Sequence, residues 1–299
     1  MRLLMKSLDQ FINQYKPLVE SRLKSAIADL EAPTALKDSM LYSLEAGGKR
    51  IRPLLLFATL EAFKCKPEIG LEAAAAIEMV HTYSLIHDDL PSMDDDDLRR
   101  GKPTNHKIYG EATAILAGDA LLTHSFKMIG NMSAETASAD TKLVLINKLS
   151  EASGAEGMVG GQVADMEGEG KQLSLEELQY IHINKTGRLL AYSVLAGAEL
   201  AEANEQIKER LQTFAYHIGL AFQIRDDILD LEGTVEQIGK PVGSDTDNDK
   251  STYPALLTLE GAKQALQNHI DHAKQELLTT NLNTSILEQI TDLIGLRTS

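Results

Sequence analysis

Apolar residues recur at spacings of three and four along nearly the whole chain, the period of an α-helix and not the alternation of a half-buried strand. Pro33-Thr34 opens one such segment and Gly47-Gly48 closes it. Lys49-Arg50-Ile51-Arg52-Pro53 begins the next, with Pro53 suited to a first turn, where no backbone donor is needed. Residues 73–86 are apolar on most sides of a helix, so that segment belongs at the centre of the fold. The same spacing predicts helices over 111–129, 141–153, 175–181, 187–203, 205–231, 254–279 and 283–296. Between them, 168–174 and 233–251 are polar and glycine-rich, without the length or low complexity of domain linkers. No Asn-Gly or Asp-Gly pair joins alternating segments into a hairpin, and no unit repeats at a fixed period. The pattern predicts an all-α fold, one domain over residues 1–299 with about ten or more helices.

Composition agrees with helix: hydrophobic residues make up 43% of the chain, aromatics only 5%, and Trp is absent. The 29 basic and 44 acidic residues give a net charge of −15, which excludes nucleic acid and an anionic membrane as general partners. An anionic substrate would need metal cations or local Lys and Arg groups to offset that field. A single cysteine, Cys65, rules out an internal disulfide and fits a reducing cytoplasm, with a chance surface thiol as its ordinary reading. The opening Met1–Lys6 lacks the apolar core of a signal peptide, and Met5 offers an alternative start. No run of about 18 uncharged apolar residues occurs, so no transmembrane anchor is expected.

Two acidic motifs concentrate the chemistry. In Phe222-Gln223-Ile224-Arg225-Asp226-Asp227-Ile228-Leu229-Asp230, helical spacing makes Asp230 a neighbour of both Asp226 and Asp227, with Cβ atoms about 5–6 Å apart. Three carboxylates so close on a largely apolar helix repel unless a hard divalent cation joins them. The other motif, His87-Asp88-Asp89-Leu90-Pro91-Ser92-Met93-Asp94, has the form Asp-Asp-x4-Asp. Pro91 disfavours helix at Leu90, so the helix should end there and the chain should curl to return Asp94 toward Asp88. Taken alone, Asp94–Asp97 reads equally well as a solvated helix end. Two Asp-Asp motifs, each closing an apolar helix, point instead to Mg²⁺ bridging a diphosphate. Asp245-Thr246-Asp247-Asn248-Asp249 mimics a calcium loop, but Lys250 and Leu256 occupy its glycine and glutamate positions. Gly239-Lys240-Pro241 lacks the spacing of a P-loop.

Together with these motifs, Gly47–Pro53, Leu116-Ala117-Gly118-Asp119, Gly157-Met158-Val159-Gly160-Gly161-Gln162, His182-Ile183-Asn184-Lys185-Thr186-Gly187 and Lys250-Ser251-Thr252-Tyr253-Pro254 fall in an order that resembles the trans-isoprenyl diphosphate synthases. The four-residue spacer of the first acidic motif is similar to bacterial farnesyl and plant-type geranylgeranyl synthases, not to the two-residue form of animal farnesyl synthases. The resemblance implies a helical bundle around a deep central cavity, a cytoplasmic homodimer, and condensation of isopentenyl diphosphate with allylic diphosphates.

It also implies roles. Asp88, Asp89 and Asp94 would bind Mg²⁺ on one side of the allylic diphosphate, and Asp226, Asp227 and Asp230 on the other, with three ions per site and Mn²⁺ able to substitute. Arg99 and Arg100 would grip diphosphate oxygens, although both also balance the adjoining acidic run. Lys49, Arg52 and His81 would hold isopentenyl diphosphate; Lys49 and Arg52, three apart, would share one anion if that turn is helical. Lys185, Thr186, Gln223 and Lys240 would complete the allylic site, against the default of surface lysine for Lys185 and Lys240 and of a satisfied core histidine for His81. Tyr83, about 7.5 Å before Asp88 along the helix, with its neighbour Ser84, would form the floor that stops the growing chain at fifteen carbons. A deeper pocket would make a geranylgeranyl synthase. A terpene cyclase should lack Gly47–Pro53 and the second Asp-Asp motif, and a non-catalytic partner subunit should have lost aspartates that are present here.

Overall fold

The computed structural model describes residues 7–232 and 251–297. The central element is α4 (Leu71–Asp88), in which every residue from Ala73 to Val80 is buried, as an all-round apolar helix requires. Its surroundings are α1 (Leu8–Ala28), α2 (Thr34–Leu44) and α3 (Ile51–Ala62) on the N-terminal side. A short α5 (Asn105–Tyr109), then α6 (Glu111–Gly130), α7 (Ala139–Ser153) and α8 (Met158–Gly168) follow. The chain continues through α9 (Leu175–His182), a π-turn (Ile183–Gly187), α10 (Arg188–Leu200) and the long α11 (Glu205–Glu232). It closes with α12 (Tyr253–Thr279), kinked at Thr258, and α13 (Ser285–Leu296). α4 packs along α6, α3 along α10, and α11 between α10 and α12. The all-α expectation holds.

Helix starts follow local chemistry. Ser7 and Gln10 form a capping box at α1, Ser174 and Glu177 another at α9, and the hydroxyls of Ser138 and Thr252 cap α7 and α12. The pattern reading marked neither α1 nor α8. It also foresaw no strand, yet Leu98–Arg99 (β1) pairs antiparallel with Lys102–Pro103 (β2). Arg100 and Gly101 make the turn at φ 53° and 73°, the doubly left-handed geometry of a two-residue hairpin. Among the described residues no helix is long and apolar enough to cross a membrane.

Candidate active site

α4 ends at Asp88, two residues before the point that Pro91 alone predicts; the Asp89 amide makes the last α-type bond, to Leu85, and the Leu90 amide tightens to His87. The curl after it is as expected: the Asp94 amide donates to the Asp88 carbonyl at 2.9 Å. Asp88 and Asp94 therefore face one cavity of about 440 Å³. Asp89 does not line it. Its carboxylate is buried and accepts from Arg99 Nε at 2.6 Å, and Arg99 also reaches Asp96 at 3.4 Å. Arg99 thus lines the cavity and also balances the acidic loop. Arg100, in the hairpin turn, donates to the Gly47 carbonyl and lies against Gly48, where a Cβ would come within 2.6 Å of its Nη1. The glycine pair leaves room for that guanidinium, which ties the acidic loop to the start of α3.

α11 brings Asp226, Asp227 and Asp230 to the same cavity, together with Gln223. They are not equivalent. Asp226 is half-exposed and meets Arg297 at 2.6 Å, whereas Asp227 is buried and accepts from the Tyr253 amide at 2.8 Å, at the start of α12. Lys185 and Thr186 line the cavity from the π-turn. That turn lies against α8 at Gly161, where a Cβ would sit 2.2 Å from the Lys185 amide nitrogen, and against α11 at Gly219, where it would sit 2.9 Å from Gly187 Cα. Such a widened turn is a common device at functional sites.

The expected shared helical face of Lys49 and Arg52 is absent. α3 begins at Ile51, and Arg50 precedes it at φ 54°, so Lys49 lies outside the helix. Neither residue lines the cavity, nor does His81, but all three belong to one electrostatic neighbourhood. Burial, then Arg52, Arg100, Arg99 and Arg50, hold His81 well below the usual imidazole range, leaving it neutral. Burial and the neighbouring arginines also pull Arg52 down to about 10, against the opposing pull of Glu78 and Asp226. Arg52 Nε, shut away from solvent, has no hydrogen-bond partner among the described residues. Burial raises Asp88 to about 7, with Asp94 and Asp89 adding to the rise and Lys185 and Arg99 opposing it. Asp89 rises from the same leading cause against the pull of Arg99.

Tyr83 is buried edge-on to His87, with ring centroids 5.7 Å apart, and burial followed by the Asp88 charge raises its phenol to about 12. Neither Tyr83 nor Ser84 lines the cavity; Leu85, one residue on, does. Lys240, the loop 233–250 with its false calcium and P-loop motifs, and Met1, Met5, Thr298 and Ser299 lie outside the described residues.

Three participants had no assigned role in the sequence reading. Gln162 Nε2 donates to Asp88 Oδ1 at 2.6 Å, Asp165 pairs with Lys185 Nζ at 2.6 Å, and Arg50 pairs with the buried Glu78 at 2.6 Å. The first could have been found: Gln162 stands in a quoted motif, and Asp165 is three residues further along the same helix.

The donor set fits a hard divalent ion. Among the described residues no three acidic, His or Cys side chains converge closely enough to cage a metal by themselves. Carboxylates spread over two sides of a cavity, with Asp88 raised to about 7 by burial, suit Mg²⁺, which takes one or two carboxylates and completes its shell with water and phosphate oxygens.

Residues 33–286 match the model of the polyprenyl synthetase family. The chain is 57% identical to the farnesyl diphosphate synthase of Geobacillus stearothermophilus over 97% of its own length and 98% of that protein's. Identity is also 57% to the farnesyl diphosphate synthase of Bacillus subtilis, covering 97% and 98% of the two chains. Among solved structures, an FPP/GFPP synthase from Zymomonas mobilis superposes with a TM-score of 0.85 at 36% identity, covering 96% of this chain and 98% of that one.

Proposed function

Because the chain belongs to the polyprenyl synthetase family, we propose that it is a farnesyl diphosphate synthase, which condenses isopentenyl diphosphate with dimethylallyl and then geranyl diphosphate and releases pyrophosphate at each step. The observation that carries this reading is the meeting of two carboxylate sets and Lys185 in one cavity of about 440 Å³. Asp88, Asp89 and Asp94 would hold Mg²⁺ on one side, and Asp226, Asp227 and Asp230 on the other, three ions in all, with Mn²⁺ able to replace them. Bound metal would supply Lewis-acid stabilisation of charge on the departing pyrophosphate.

The chain's own residues do the rest. Lys185, fixed by Asp165 and the π-turn, and Thr186 and Gln223 beside it, orient the allylic diphosphate so that its C–O bond can break. Arg99 and Arg100 add positive charge at the mouth, and Lys240 is assigned to the allylic site with Lys185, Thr186 and Gln223. Lys49, Arg52 and neutral His81 hold isopentenyl diphosphate, whose double bond attacks the allylic cation. The proton lost from the resulting cation leaves with pyrophosphate. Leu85, Leu178, Ile181 and Leu229 in the cavity wall keep water from quenching the cation. Tyr83 and Ser84 set the fifteen-carbon limit. The whole chain is read as one synthase domain, acting as a cytoplasmic homodimer. Leu116 on α6 and Leu143 on α7, each 58% exposed, give apolar surface for such pairing.

The test is a product assay with isopentenyl and dimethylallyl diphosphate, with and without chelator. Farnesyl diphosphate formed only with Mg²⁺ or Mn²⁺, and no extension of added farnesyl diphosphate, is the expected result. A twenty-carbon product would overturn the floor, and no turnover by folded, Mg²⁺-supplied protein would overturn the enzymatic reading.

A further inference from the structure

The end of α13 lies across the second acidic set. Arg297 Nη2 meets Asp226 Oδ1 at 2.6 Å and donates to the Phe222 carbonyl at 2.6 Å. Its guanidinium carbon stands 3.7 Å from the centroid of the Phe222 ring, and Arg225 Nε donates to the Arg297 carbonyl at 2.8 Å. One turn of α11 therefore grips this arginine through a carboxylate, a carbonyl, a ring face and a second guanidinium. The Arg297 side chain is only 8% exposed, against 44% for Asp226, so this is not a loose surface pair. The grip is incomplete, since Arg297 Nε, also buried, has no hydrogen-bond partner among the described residues. Arg297 also weighs electrostatically on Lys49 and Arg52, which places it between the carboxylates of α11 and the basic start of α3.

We propose that Arg297 is an internal counter-ion for Asp226 that a divalent cation displaces, so that metal loading of the second acidic set releases the Arg297 side chain from α11. The proposal rests on the reading of Asp226 as a metal ligand. A divalent ion on Asp226 and a guanidinium 2.6 Å from its Oδ1 put two cations on one carboxylate. The two therefore compete for Asp226. The guanidinium-paired state keeps Asp226 neutralised when no metal is present; the metal-bound state frees Arg297 and uncovers the Phe222 ring. A site open only part of the time binds its ligand more weakly by that fraction, so a pair closed nine-tenths of the time weakens apparent metal affinity about tenfold.

The experiment is a Mn²⁺ titration of the full chain, followed by electron paramagnetic resonance of free Mn²⁺, on the unaltered protein and on Arg297→Gln. The variant should bind Mn²⁺ about tenfold more tightly, and the gain should vanish when Asp226→Asn is added to both. Equal or weaker binding by a variant of unaltered circular dichroism would overturn the proposal. A second measurement uses the unaltered chain: trypsin cleavage after Arg297, read by mass spectrometry, should accelerate severalfold when Mn²⁺ is added. Protection independent of Mn²⁺ would also overturn it. If the unaltered chain binds no Mn²⁺ at all, the metal reading of the site falls and the counter-ion proposal with it; if it binds Mn²⁺ but Arg297 makes no difference, only the counter-ion proposal falls.

Discussion

Replacing Asp88 by asparagine should abolish turnover and yet stabilise the metal-free protein at alkaline pH. Burial, followed by the charges of Asp94 and Asp89, lifts Asp88 from 3.8 to about 7 in the folded chain. A folded-state pKa above the unfolded one means the folded form holds the proton more tightly. Stability from this group is then present at low pH, declines as pH rises from about 4 to about 7, and is fully lost above 7. Three pH units correspond to about 4 kcal/mol, an upper bound. Solvent at the mouth of the cavity screens the charge, and about 1–2 kcal/mol should survive. That is a difference of about 2–8 °C in Tm at 2–4 °C per kcal/mol. The side-chain amide introduced by Asp88→Asn keeps a carbonyl oxygen to accept from Gln162 Nε2, so the local geometry survives the change. The assay is thermal unfolding in chelator at pH 5.5 and pH 8, for both proteins. Subtracting the variant removes His81, His217 and His269, whose lowered pKa values act in the opposite direction, destabilising as pH falls below 6.5. The variant should gain on the unaltered protein at pH 8 and about half as much at pH 5.5, midway through that window. An Asp88→Asn protein no more stable than the unaltered one at pH 8, or an equal difference at both pH values, would refute the reasoning.

Three further outcomes follow from packing and charge. Arg50→Met leaves Glu78, only 2% exposed, as a buried unpaired charge and should cost about 3–5 kcal/mol, read as a fall in Tm; Arg52→Met should leave Tm nearly unchanged and raise KM for isopentenyl diphosphate. Gly161→Ala puts a methyl group 2.2 Å from the Lys185 amide nitrogen, where only backbone can yield, so about 1–3 kcal/mol of stability and most of kcat should be lost together, by calorimetry and steady-state assay. Tyr83→Ala removes a ring that is 6% exposed and should lengthen the main product to twenty carbons or more, by chromatography of dephosphorylated products; an unchanged fifteen-carbon product would remove Tyr83 from the floor.

The buried helices were legible because nothing competed with their period: residues 73–86 and 205–231 each fall within one or two positions of the observed limits. α1 carries Phe11, Tyr15, Val19 and Leu23 at helical spacing behind a capping box, but Pro17 sits inside it and breaks the pattern a sequence reader trusts. α8 begins with Gly160 and Gly161 in its first turn and buries only Met158, Gly161 and Gly168, so it has almost no apolar stripe. Its glycine is explained by what approaches it, the π-turn, which local spacing cannot reveal. The hairpin at 98–103 turns on Arg100-Gly101 because the αL cost of Arg100 is offset by its contact with Gly47, 53 residues away in sequence. In the site, the aspartates declared themselves by like charge at helical spacing. Asp165, Arg50 and Arg297 did not, because a single charged residue acquires meaning only from a partner brought to it by folding.

The perturbed groups of this site form a pattern that matches the guest proposed for it. On the acidic side, Asp88 and Asp89 are pushed up; on the basic side, Lys49, Arg52 and Arg100 are pulled down, each with burial as the leading cause. Were the two sides meant to neutralise one another, direct pairs would join them, and the shifts would run the other way. Of these two carboxylates only Asp89 is joined directly to a cation, Arg99; Asp88 is bound to the neutral Gln162, and Arg52 keeps a buried donor unused. Both sides are relieved together only by a guest that brings cations to the carboxylates and anionic oxygens to the arginines, which is the charge pattern of a metal-bound diphosphate. His81 sharpens the argument. Burial, followed by four arginines, keeps it neutral, so it offers a hydrogen bond without adding a further positive charge to a cluster already costly to assemble. A lysine in its place would carry a charge into that cluster, to be held there by the substrate alone.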